Sequence, residues 1–334
     1  MKRSIIPVAG AALLAAFVAF ASSSCNTVYD DDLQPCPTGV SLHFVYDYNM
    51  EYANAFPAKV DCVTLYVFDG EGKHVTTCTE TTDVLSREDY RMQIDLEEGD
   101  YRFIAYGGLA CQAHSFAVGQ EPQPGTHWSE LSVEMVHDNL TSAQKLHDFY
   151  YGTAEGKVEV NAYKEVTLSL MKNTNNIRVV LQQVNGKPLS DEDFTFAVTD
   201  DNTLFDSSNN LTPNGTATYL PWSQGCQSVG ENEGEVTVAY AEFSTSRLVK
   251  EESHRPRLSI RRASDGENII DIPLIDYLLL LKSDAYSEMG EQEFLDRESE
   301  WSLIFFLDDR GEWLKTQIVV NGWVVRLNGM VIEF

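Results

Sequence analysis

Residues 40–47 read Val-Ser-Leu-His-Phe-Val-Tyr-Asp, and their apolar side chains recur at every second position. Val40, Leu42, Phe44 and Tyr46 therefore share one face of an extended chain, which is the pattern of a half-buried β-strand. The same alternation returns along the chain between short runs of Gly, Pro, Asn and Asp, which favour turns. Helical periodicity is scarce, so the sequence indicates an all-β protein.

Further strands are predicted on both sides of this stretch. Residues 63–68 and 73–79 flank a turn at residues 69–72 and predict a hairpin. The other predicted strands lie at residues 90–96, 101–106, 131–136, 149–151, 158–163, 166–171, 177–181, 194–199, 236–243, 257–262 and 303–307. Of these, residues 131–136 and 149–151 are short, and residues 158–163 are polar and edge-like. Many short strands divided by turns are typical of β-sandwiches, and one domain usually takes about 100–200 residues. The sequence therefore predicts two tandem sandwiches, at residues 36–165 and 166–334.

The C-terminal residues carry the strongest turn signals. Asn321-Gly322 and Asn328-Gly329 separate three apolar segments, at residues 316–320, 323–327 and 330–334. Asn-Gly between strands favours a tight hairpin, because both central residues of that turn need positive φ. Two interpretations stay open: a three-stranded meander inside the second domain, or a hinge after which the last residues leave their own domain.

Composition narrows the possible functions. Hydrophobic residues make up 43% of the 334 residues, which is enough to fill two cores. Asp and Glu outnumber Lys and Arg by 51 to 24, which gives a formal net charge of −27. A chain this acidic repels phosphate backbones, so nucleic-acid binding is not expected.

The N-terminal residues predict export. Lys2 and Arg3 precede an uncharged apolar run at residues 5–21, and small residues follow up to residue 24. This is the layout of a secretory signal peptide at residues 1–24. The alternative, a transmembrane helix, needs about 20 apolar residues, and this run is shorter and contains Pro7 and Gly10.

Cys25 follows the small residues directly, as in a bacterial lipobox, although Ser22 stands where Leu or Val is usual. Lipidation at Cys25 would anchor the chain to a membrane, since each buried methylene contributes about 0.8 kcal/mol. Residues 25–35 then form an acidic tether. This tether resembles the export tether of surface lipoproteins, and the alternative is a solvated, flexible linker. The alternative is an ordinary secreted protein with a Cys near its start.

Five further cysteines are Cys36, Cys62, Cys78, Cys111 and Cys226. Export favours disulfides, an odd number leaves one thiol unpaired, and the spacing does not determine the pairing. Since four of the five lie in the first half, pairing is expected there. No two cysteines have CxxC spacing, so neither a zinc site nor any other metal or cofactor is expected.

Known catalytic motifs are not found in the sequence, and no enzymatic activity is expected. His137-Asp138 and His147-Asp148 could be drawn as acid/base pairs, but adjacent residues on a strand face opposite ways. Asp200-Asp201-Asn202 and residues 231–233 offer oxygen ligands for calcium but do not have EF-hand spacing. The five Trp residues could form a glycan platform, although most Trp in sandwiches are core: Trp128, Trp222, Trp301, Trp313 and Trp323.

Several motifs together resemble the FimB-type fimbrial anchor subunits of Bacteroidetes. The N-terminal motifs are Cys36-Pro37-Thr38-Gly39-Val40 leading into residues 44–50, and residues 63–69 with Gly72-Lys73. Leu96-Glu97-Glu98-Gly99-Asp100-Tyr101 through Gly107-Gly108 is similar, and its Leu-x-x-Gly-x-Tyr core resembles transthyretin-like sandwiches. Residues 294–298 and 318–323 complete a resemblance that spans nearly the whole chain.

The resemblance implies two transthyretin-like domains, lipid attachment at Cys25, residence on the outer-membrane surface, and a place at the base of a pilus or as an accessory subunit. In related pilus subunits a protease removes the first strand after an Arg, and a neighbour's C-terminal strand fills the groove. The incoming strand covers the exposed apolar surface of the groove and forms hydrogen bonds with its unpaired backbone groups.

For an anchor subunit, proteolytic cleavage within the first domain could separate the lipidated N-terminus from the rest of the protein. The hypothesis is therefore that this protein keeps its first strand and offers its C-terminal segment to a stalk or accessory subunit. The side chains expected to make that contact are Trp323, Val325, Leu327, Met330, Ile332 and Phe334. The alternatives are pairing of this segment within its own domain and, for the function, a cell-surface lipoprotein that binds glycan or a host surface protein.

Overall fold

The computed structural model describes residues 37–229, 236–251, 254–320 and 323–325. The predicted signal peptide at residues 1–24 and the tether at 25–35, with its Cys25, lie outside the described residues. No helix in the described ranges is long and apolar enough to cross a lipid bilayer.

Strands dominate the described residues, as the alternation predicts. In the first half they are β1 Gly39–Val45, β2 Val63–Asp69, β3 His74–Glu80, β4 Met92–Asp95, β5 Gly99–Gly107, β6 Phe116–Val118, β7 Ser132–Met135, β8 Thr141–Ser142, β9 Tyr150–Val158 and β10 Tyr163–Lys172. In the second half they are β11 Thr174–Gln183, β12 Phe194–Asp200, β13 Leu204–Asp206, β14 Leu211–Thr212, β15 Ala217–Tyr219, β16 Ser223–Val229, β17 Val236–Ser246, β18 Arg257–Arg262, β19 Asn268–Pro273, β20 Glu300–Leu307, β21 Trp313–Val320 and β22 Trp323–Val325. The predicted all-β fold is confirmed.

The helices are short. They are α1 Phe56–Lys59, α2 Leu274–Leu279 and α3 Glu291–Arg297. Single 3₁₀ turns occupy Asp83–Ser86, Trp128–Glu130, Asp191–Asp193 and Asp284–Tyr286.

Seven of the first ten strands form one sheet in the order β3-β2-β5-β9-β10-β1-β4. Strand β1 lies inside it, parallel to β10 and antiparallel to β4. Val40, Leu42 and Phe44 of β1 are buried in one apolar cluster with Leu65 and Val67 of β2. Because strands near both ends of the sheet contribute to this cluster, the sheet folds over on itself, and the sandwich-like packing is confirmed.

The other face of β2 is buried as well, in a second layer. Tyr66 and Phe68 belong to a larger apolar cluster that includes Phe116 of β6 and Phe205 of β13. These two strands lie in a four-stranded sheet with the order β14-β13-β7-β6. This layer therefore combines strands from both halves of the chain.

The second half contains a six-stranded sheet, β16-β17-β11-β20-β21-β22, and a five-stranded sheet, β19-β18-β12-β15-β8. Strand β11 lies at the centre of the larger sheet, antiparallel to β17 and parallel to β20. Its buried Ile177, Val179 and Leu181 share the larger apolar cluster with Phe196 and Ile260 of the five-stranded sheet. The period-two pattern thus places one face of each sheet in the core.

The predicted domain boundary at residues 165 and 166 falls inside β10. That strand pairs with β1 and β9 as far as Lys172, because residues 166–170 supply Val166, Leu168 and Leu170 to the first apolar cluster. The four-stranded sheet also joins the two halves, and Pro37–Phe334 form one compact unit. The division into two tandem domains remains a prediction.

One turn geometry is used three times. Asp69, Asp206 and Asp308 each accept two backbone N–H bonds in their side-chain carboxylate from residues two and four positions later. The residue three positions after each Asp has positive φ, at Gly72 (80°), Asn209 (64°) and Gly311 (82°). An Asp followed by Gly or Asn at this spacing therefore closes each hairpin, and the turn predicted at residues 69–72 is confirmed.

A disulfide joins Cys62 and Cys111, 49 residues apart, in the first half where pairing was expected. Cys78 on β3 and Cys226 on β16 are free thiols. Cys36 lies outside the described residues.

Candidate functional site

Two of the motifs that carry the family resemblance contact each other. Residues 44–50 end β1 and enter a loop, and residues 294–298 include the end of α3. The guanidinium of Arg297 lies between two rings, 4.1 Å from the centroid of Tyr48 and 4.5 Å from that of Tyr52. It also donates to the backbone carbonyls of Asp47 and Asn49, at 3.4 and 3.3 Å. Arg297 thereby fastens the loop after β1 to the second half of the chain.

The neighbouring Asp296 forms a buried ion pair. Its two carboxylate oxygens accept from Nε and Nη2 of Arg247, both at 2.8 Å, and the two side chains are 6% and 16% exposed. The third nitrogen of the fork, Nη1, donates to the carbonyl of Asn209 at 3.0 Å. Two-pronged pairing of this kind fixes direction as well as distance, so it aligns α3 with the end of β17 and with the turn after β13.

Three buried asparagines extend this hydrogen-bonded group around the point where β10 passes into β11. Asn173, which connects β10 to β11, is fully buried, and its amide nitrogen donates to Oδ1 of Asn209 at 2.7 Å. The amide of Asn209 returns a bond to Oδ1 of Asn173 at 3.1 Å. Asn175 donates to the carbonyl of Ser246 at 3.2 Å and accepts from Nε1 of Trp301 at 2.9 Å. Each amide therefore uses both its donor and its acceptor.

We call Asn173, Asn175, Asn209, Arg247 and Asp296 the junction cluster. Among the described residues, none of its side-chain nitrogen or oxygen atoms is buried without a hydrogen-bond partner. A satisfied polar network in a low-dielectric interior is directional and holds one arrangement of the chain. The cluster can therefore hold the start of β11, the turn after β13, the end of β17 and α3 in one arrangement, and it leaves no free acid, base or nucleophile for chemistry.

Asp200 at the end of β12 lies outside this cluster and is buried with an unpaired carboxylate oxygen. It is 3% exposed, and its Oδ2 has no hydrogen-bond partner in the described part of the chain. Burial raises the pKa of Asp200 to about 7, because the interior disfavours the charged carboxylate. The group therefore changes charge in the neutral pH range.

The residues considered for calcium are used inside the protein. Asn202 is fully buried, where it donates to the carbonyl of Arg247 and accepts from the hydroxyl of Tyr219. Oδ1 of Asp201 accepts from the backbone of Asn214 at 2.9 Å. Residues 231–233 lie outside the described ranges.

The two His-Asp pairs do not form acid/base sites of their own. His137 contacts Glu134 at 3.2 Å, and His147 contacts Asp61 at 3.1 Å. Asp148 instead pairs with Lys172 at 3.0 Å. In each case the partner is a residue other than the adjacent Asp or His, and His137, His147 and Asp148 lie outside the strands.

The described tryptophans have their ring faces engaged by other side chains. Trp301 is in the core, and Trp313 packs against Tyr277 and Phe305. Arg102 lies 4.2 Å over the ring of Trp128, and Lys145 lies 5.2 Å over that of Trp222. These contacts do not build a common flat platform from the rings.

The predicted donor residues fall partly on a sheet edge. Trp323 and Val325 belong to β22, whose backbone pairs antiparallel with β21 across Asn321-Gly322. In the described part of the chain β22 is the last strand of the six-stranded sheet and has β21 as its neighbour. Leu327, Met330, Ile332 and Phe334 lie outside the described residues. Their role as donors stays a prediction.

Over residues 33–329 the sequence matches the family described as fimbrillin-A associated anchor proteins Mfa1 and Mfa2. The chain belongs to this anchor family. The resemblance to fimbrial anchor subunits is thereby confirmed, and the family supports a fimbrial or adhesive role at the cell surface. An anchor family of this type is structural rather than enzymatic in general. No curated protein sequence matches the chain.

Solved structures agree with the family. A crystal structure of a candidate adhesin from Bacteroides thetaiotaomicron is 54% identical, with a TM-score of 0.84, over 89% of this chain and all of that one. A second from the same organism, described as a candidate polysaccharide-binding protein, is 30% identical with a TM-score of 0.76, over 87% and 98% of the two chains. The fimbrial anchor protein Mfa2 of Porphyromonas gingivalis, at 18% identity and a TM-score of 0.66 over 87% and 99%, shares the fold.

Sequence reasoning did not find the junction cluster. Residues 294–298 pointed to it through the family motif, but Asn173, Asn209 and Arg247 carried no local signal. Their partners are 36 residues or more away in sequence. A sequence feature that indicates the cluster is the polar segment Asn173-Thr174-Asn175-Asn176, which interrupts two apolar strand segments.

Proposed function

We propose that this protein is a non-enzymatic anchor or accessory subunit of a fimbria, held on the outer membrane by a lipid on Cys25 and joined to stalk subunits by strand exchange. The family match over residues 33–329 carries the proposal. In this arrangement the tether at residues 25–35 leads from the membrane into β1, and the C-terminal segment meets the next subunit.

The position of β1 supports retention of the first strand. It has a hydrogen-bonded neighbour on each side, and Val40 and Leu42 are fully buried. Its removal would expose the first apolar cluster and leave both neighbours unpaired. After Arg3 the next arginine in the sequence is Arg87, so no Arg lies between Cys25 and β1 for a protease of that specificity.

The Cys62–Cys111 disulfide adds a second safeguard for the lipid connection. It spans the exposed loop that contains Arg87, whose side chain is 64% exposed. A cut at Arg87 would therefore leave residues 25–87 covalently joined to the rest of the chain. This suits a subunit whose task is to stay attached.

Mass spectrometry of the mature N-terminus tests the anchor. An acylated Cys25 is expected, and Cys25→Ser should move the protein from the outer-membrane fraction to a soluble one. A Cys36→Ser variant is the matched control and should stay in the membrane fraction. Recovery of the Cys25→Ser protein in the outer membrane, or a mature chain that starts inside residues 39–172, would contradict the proposal.

Aspartate substitutions test the donor segment. Alternation places Met330, Ile332 and Phe334 on one face of an extended strand and Val331 on the other. Ile332→Asp should abolish co-purification of stalk subunits, because a charge would enter an apolar groove. Val331→Asp is the matched control and should retain co-purification. Equal recovery of stalk subunits with both variants would refute strand exchange through this segment.

A second candidate function is glycan binding at the cell surface. It is favoured by the relative described as a candidate polysaccharide-binding protein. A cavity of about 440 Å³ lined by Asp100, Arg102, Trp128, Glu155 and Lys157 offers charged groups of both signs and the ring of Trp128, of which Arg102 covers one face. Trp128→Ala should then weaken binding in a polysaccharide screen, with Trp222→Ala as the control. A wild-type protein that retains no polysaccharide in this screen would remove the candidate.

A further inference from the structure

Three potential metal ligands converge beside the disulfide. Nε2 of His147 lies 3.1 Å from Oδ1 of Asp61, and this oxygen lies 3.0 Å from Sγ of Cys111. The three atoms are all within 4.8 Å of one another. In the described part of the chain, this is the one place where three such donors from Asp, Glu, His or Cys meet so closely.

The contact between Asp61 and Cys111 is unusual in chemical terms. The sulfur of Cys111 belongs to the disulfide with Cys62, so it carries no proton to donate to the carboxylate. A carboxylate oxygen at 3.0 Å from a disulfide sulfur therefore gains no hydrogen bond. Two tetrahedral ligands of one Zn²⁺ lie about 3.3–3.7 Å apart, since Zn–O and Zn–S distances are about 2.0–2.3 Å, so a small separation of these two atoms would admit an ion.

We propose that reduction of the Cys62–Cys111 disulfide turns this cluster into a Zn²⁺ site with Asp61, Cys62, Cys111 and His147 as its four ligands. Two molecules of a thiol reductant give up two electrons and two protons to the disulfide and leave as their own disulfide. The two protein thiols then release two protons to water as their sulfurs bind Zn²⁺. Two thiolates, one imidazole and one carboxylate are ordinary zinc ligands and give a tetrahedral set.

The surroundings hold the ligands in place independently of the disulfide. The backbone N–H of His147 donates to Oγ of Ser115 at 2.8 Å, and Ser115 is 4% exposed. Nδ1 of His114 contacts the carbonyl of Cys111 at 3.3 Å. Cys62 is 1% exposed and directly precedes β2, so its backbone is fixed by the sheet. These contacts position the backbones of His147, Cys111 and Cys62.

The site is also reachable. The side chain of Asp61 is 64% exposed and that of His147 is 25% exposed, whereas the two cysteines are buried. An ion can therefore enter from solvent on the Asp61 side and meet the sulfurs within. In either redox state the residues at 62 and 111 stay cross-linked, by the disulfide or by the metal. The site is independent of the proposed fimbrial function.

Cobalt titration tests the proposal, since tetrahedral Co²⁺ bound to thiolates absorbs in the visible range and gives a sulfur charge-transfer band. The full chain is used with Cys25, Cys36, Cys78 and Cys226 replaced by Ser, so that Cys62 and Cys111 are its only thiols. After reduction and removal of the reductant, it should bind one Co²⁺ with these bands, and Zn²⁺ should displace it. The oxidised protein should show no such bands.

Ligand variants complete the test in the same background. His147→Ala and Asp61→Ala should each weaken binding by more than about 100-fold, since even outer-contact changes cost 10–100-fold. His137→Ala is the matched control, because His137 also pairs with a carboxylate, that of Glu134, but has no cysteine in its group. Circular dichroism of the oxidised variants checks that they fold.

Two outcomes would overturn the proposal. One is a reduced, folded protein that shows no Co²⁺ bands. The other is binding by His147→Ala and Asp61→Ala that equals binding by His137→Ala, because the thiols alone would then account for the signal. If His147→Ala fails to fold, His147→Gln gives the same comparison, since an amide of similar size replaces the imidazole.

Discussion

The first apolar cluster and the junction cluster bury their side chains by different means. Val40, Leu42 and Phe44 pack against other apolar residues, so their contribution follows the area removed from water. Arg247 and Asp296 are also largely buried, but each requires the other to be present. A change of side-chain shape should therefore destabilise the first apolar cluster less than the loss of one charged partner destabilises the junction cluster. The difference separates a region that makes a stable sandwich from one that fixes how the loops and the helix α3 of the second half are placed.

The largest expected effect is at the buried ion pair. Arg247→Ala should lower the free energy of unfolding by about 3–5 kcal/mol, because it leaves the charge of Asp296 buried and unpaired. Arg178→Ala is the matched control, since its pair with Glu242 is partly exposed, at 39% and 23%, and should cost about 1 kcal/mol or less. Urea unfolding measures both. Equal losses for the two variants would show that burial of the pair has no influence.

The apolar counterpart sharpens the contrast. Phe44→Ala should also cost about 3–5 kcal/mol, as expected for removal of a buried ring. The loss of unfolding free energy in Phe44→Ala should be independent of salt concentration. The loss in the Arg178→Ala control should become smaller at high salt, because salt screens the exposed ion pair. Urea unfolding at low and high salt measures both. A strong salt dependence of the Phe44→Ala loss would contradict the assignment of this cluster to area burial.

Asp200 should make the second half sensitive to pH. Its folded pKa is raised to about 7 from 3.8, so the folded state holds the proton more tightly than the unfolded state. The stabilisation is therefore complete below about pH 3.8 and is lost as pH rises through about 7, by up to about 4 kcal/mol. Asp200→Asn keeps the neutral form, so it should equal the wild type near pH 4 and exceed it in stability at pH 8. Parallel pH profiles of the two proteins would disprove this.

A smaller effect is expected at the paired asparagines. Asn209→Gly keeps the positive φ but leaves the amide of Asn173 buried without its partner, which should cost about 1–3 kcal/mol. Asn139→Gly is the control, since Asn139 also has positive φ but lies exposed in its turn. That substitution should stay within about 0.5 kcal/mol of the wild type. Thermal unfolding distinguishes the two.

The smallest effect is expected at the surface of the junction. Tyr52 is 58% exposed and covers one face of Arg297. Tyr52→Ala should cost about 0.5–1 kcal/mol in the free energy of unfolding, and Tyr52→Phe should cost less, because the ring face remains. A Tyr52→Phe protein as unstable as Tyr52→Ala would assign the effect to the hydroxyl instead.

Alternation of apolar residues predicted most strands because burial of one sheet face imposes a period of two. It failed for β9, where residues 158–163 were predicted as an edge strand and residues 149–151 as a short one. That strand lies inside the sheet, between β5 and β10, and its Gly152 and Gly156 break the apolar pattern. A Cβ on Gly152 would lie 2.4 Å from the carbonyl oxygen of Ser169, so close strand approach requires glycine.

The junction cluster lay beyond sequence reasoning for a different reason. Its contacts join residues far apart, such as Trp301 and Asn175, 126 positions away. A polar residue in a strand gives the same local pattern whether it faces water or a buried partner. The boundary predicted at residues 165 and 166 remains a prediction; it falls within β10, whose apolar alternation continues through Leu168 and Leu170. The pairing of strands determines where a sandwich ends.

The parallel pairing of β1 with β10 bears on how the chain reaches its native state. Gly39 meets Tyr163 only after more than 120 intervening residues have been supplied. Contacts of such long range make folding slow, and an exposed apolar strand is prone to aggregate in the meantime. A chain that crosses a membrane N-terminus first would present β1 early and complete its sheet late. On the export route proposed above, biogenesis of this protein should therefore depend on a holding chaperone in the compartment where it emerges.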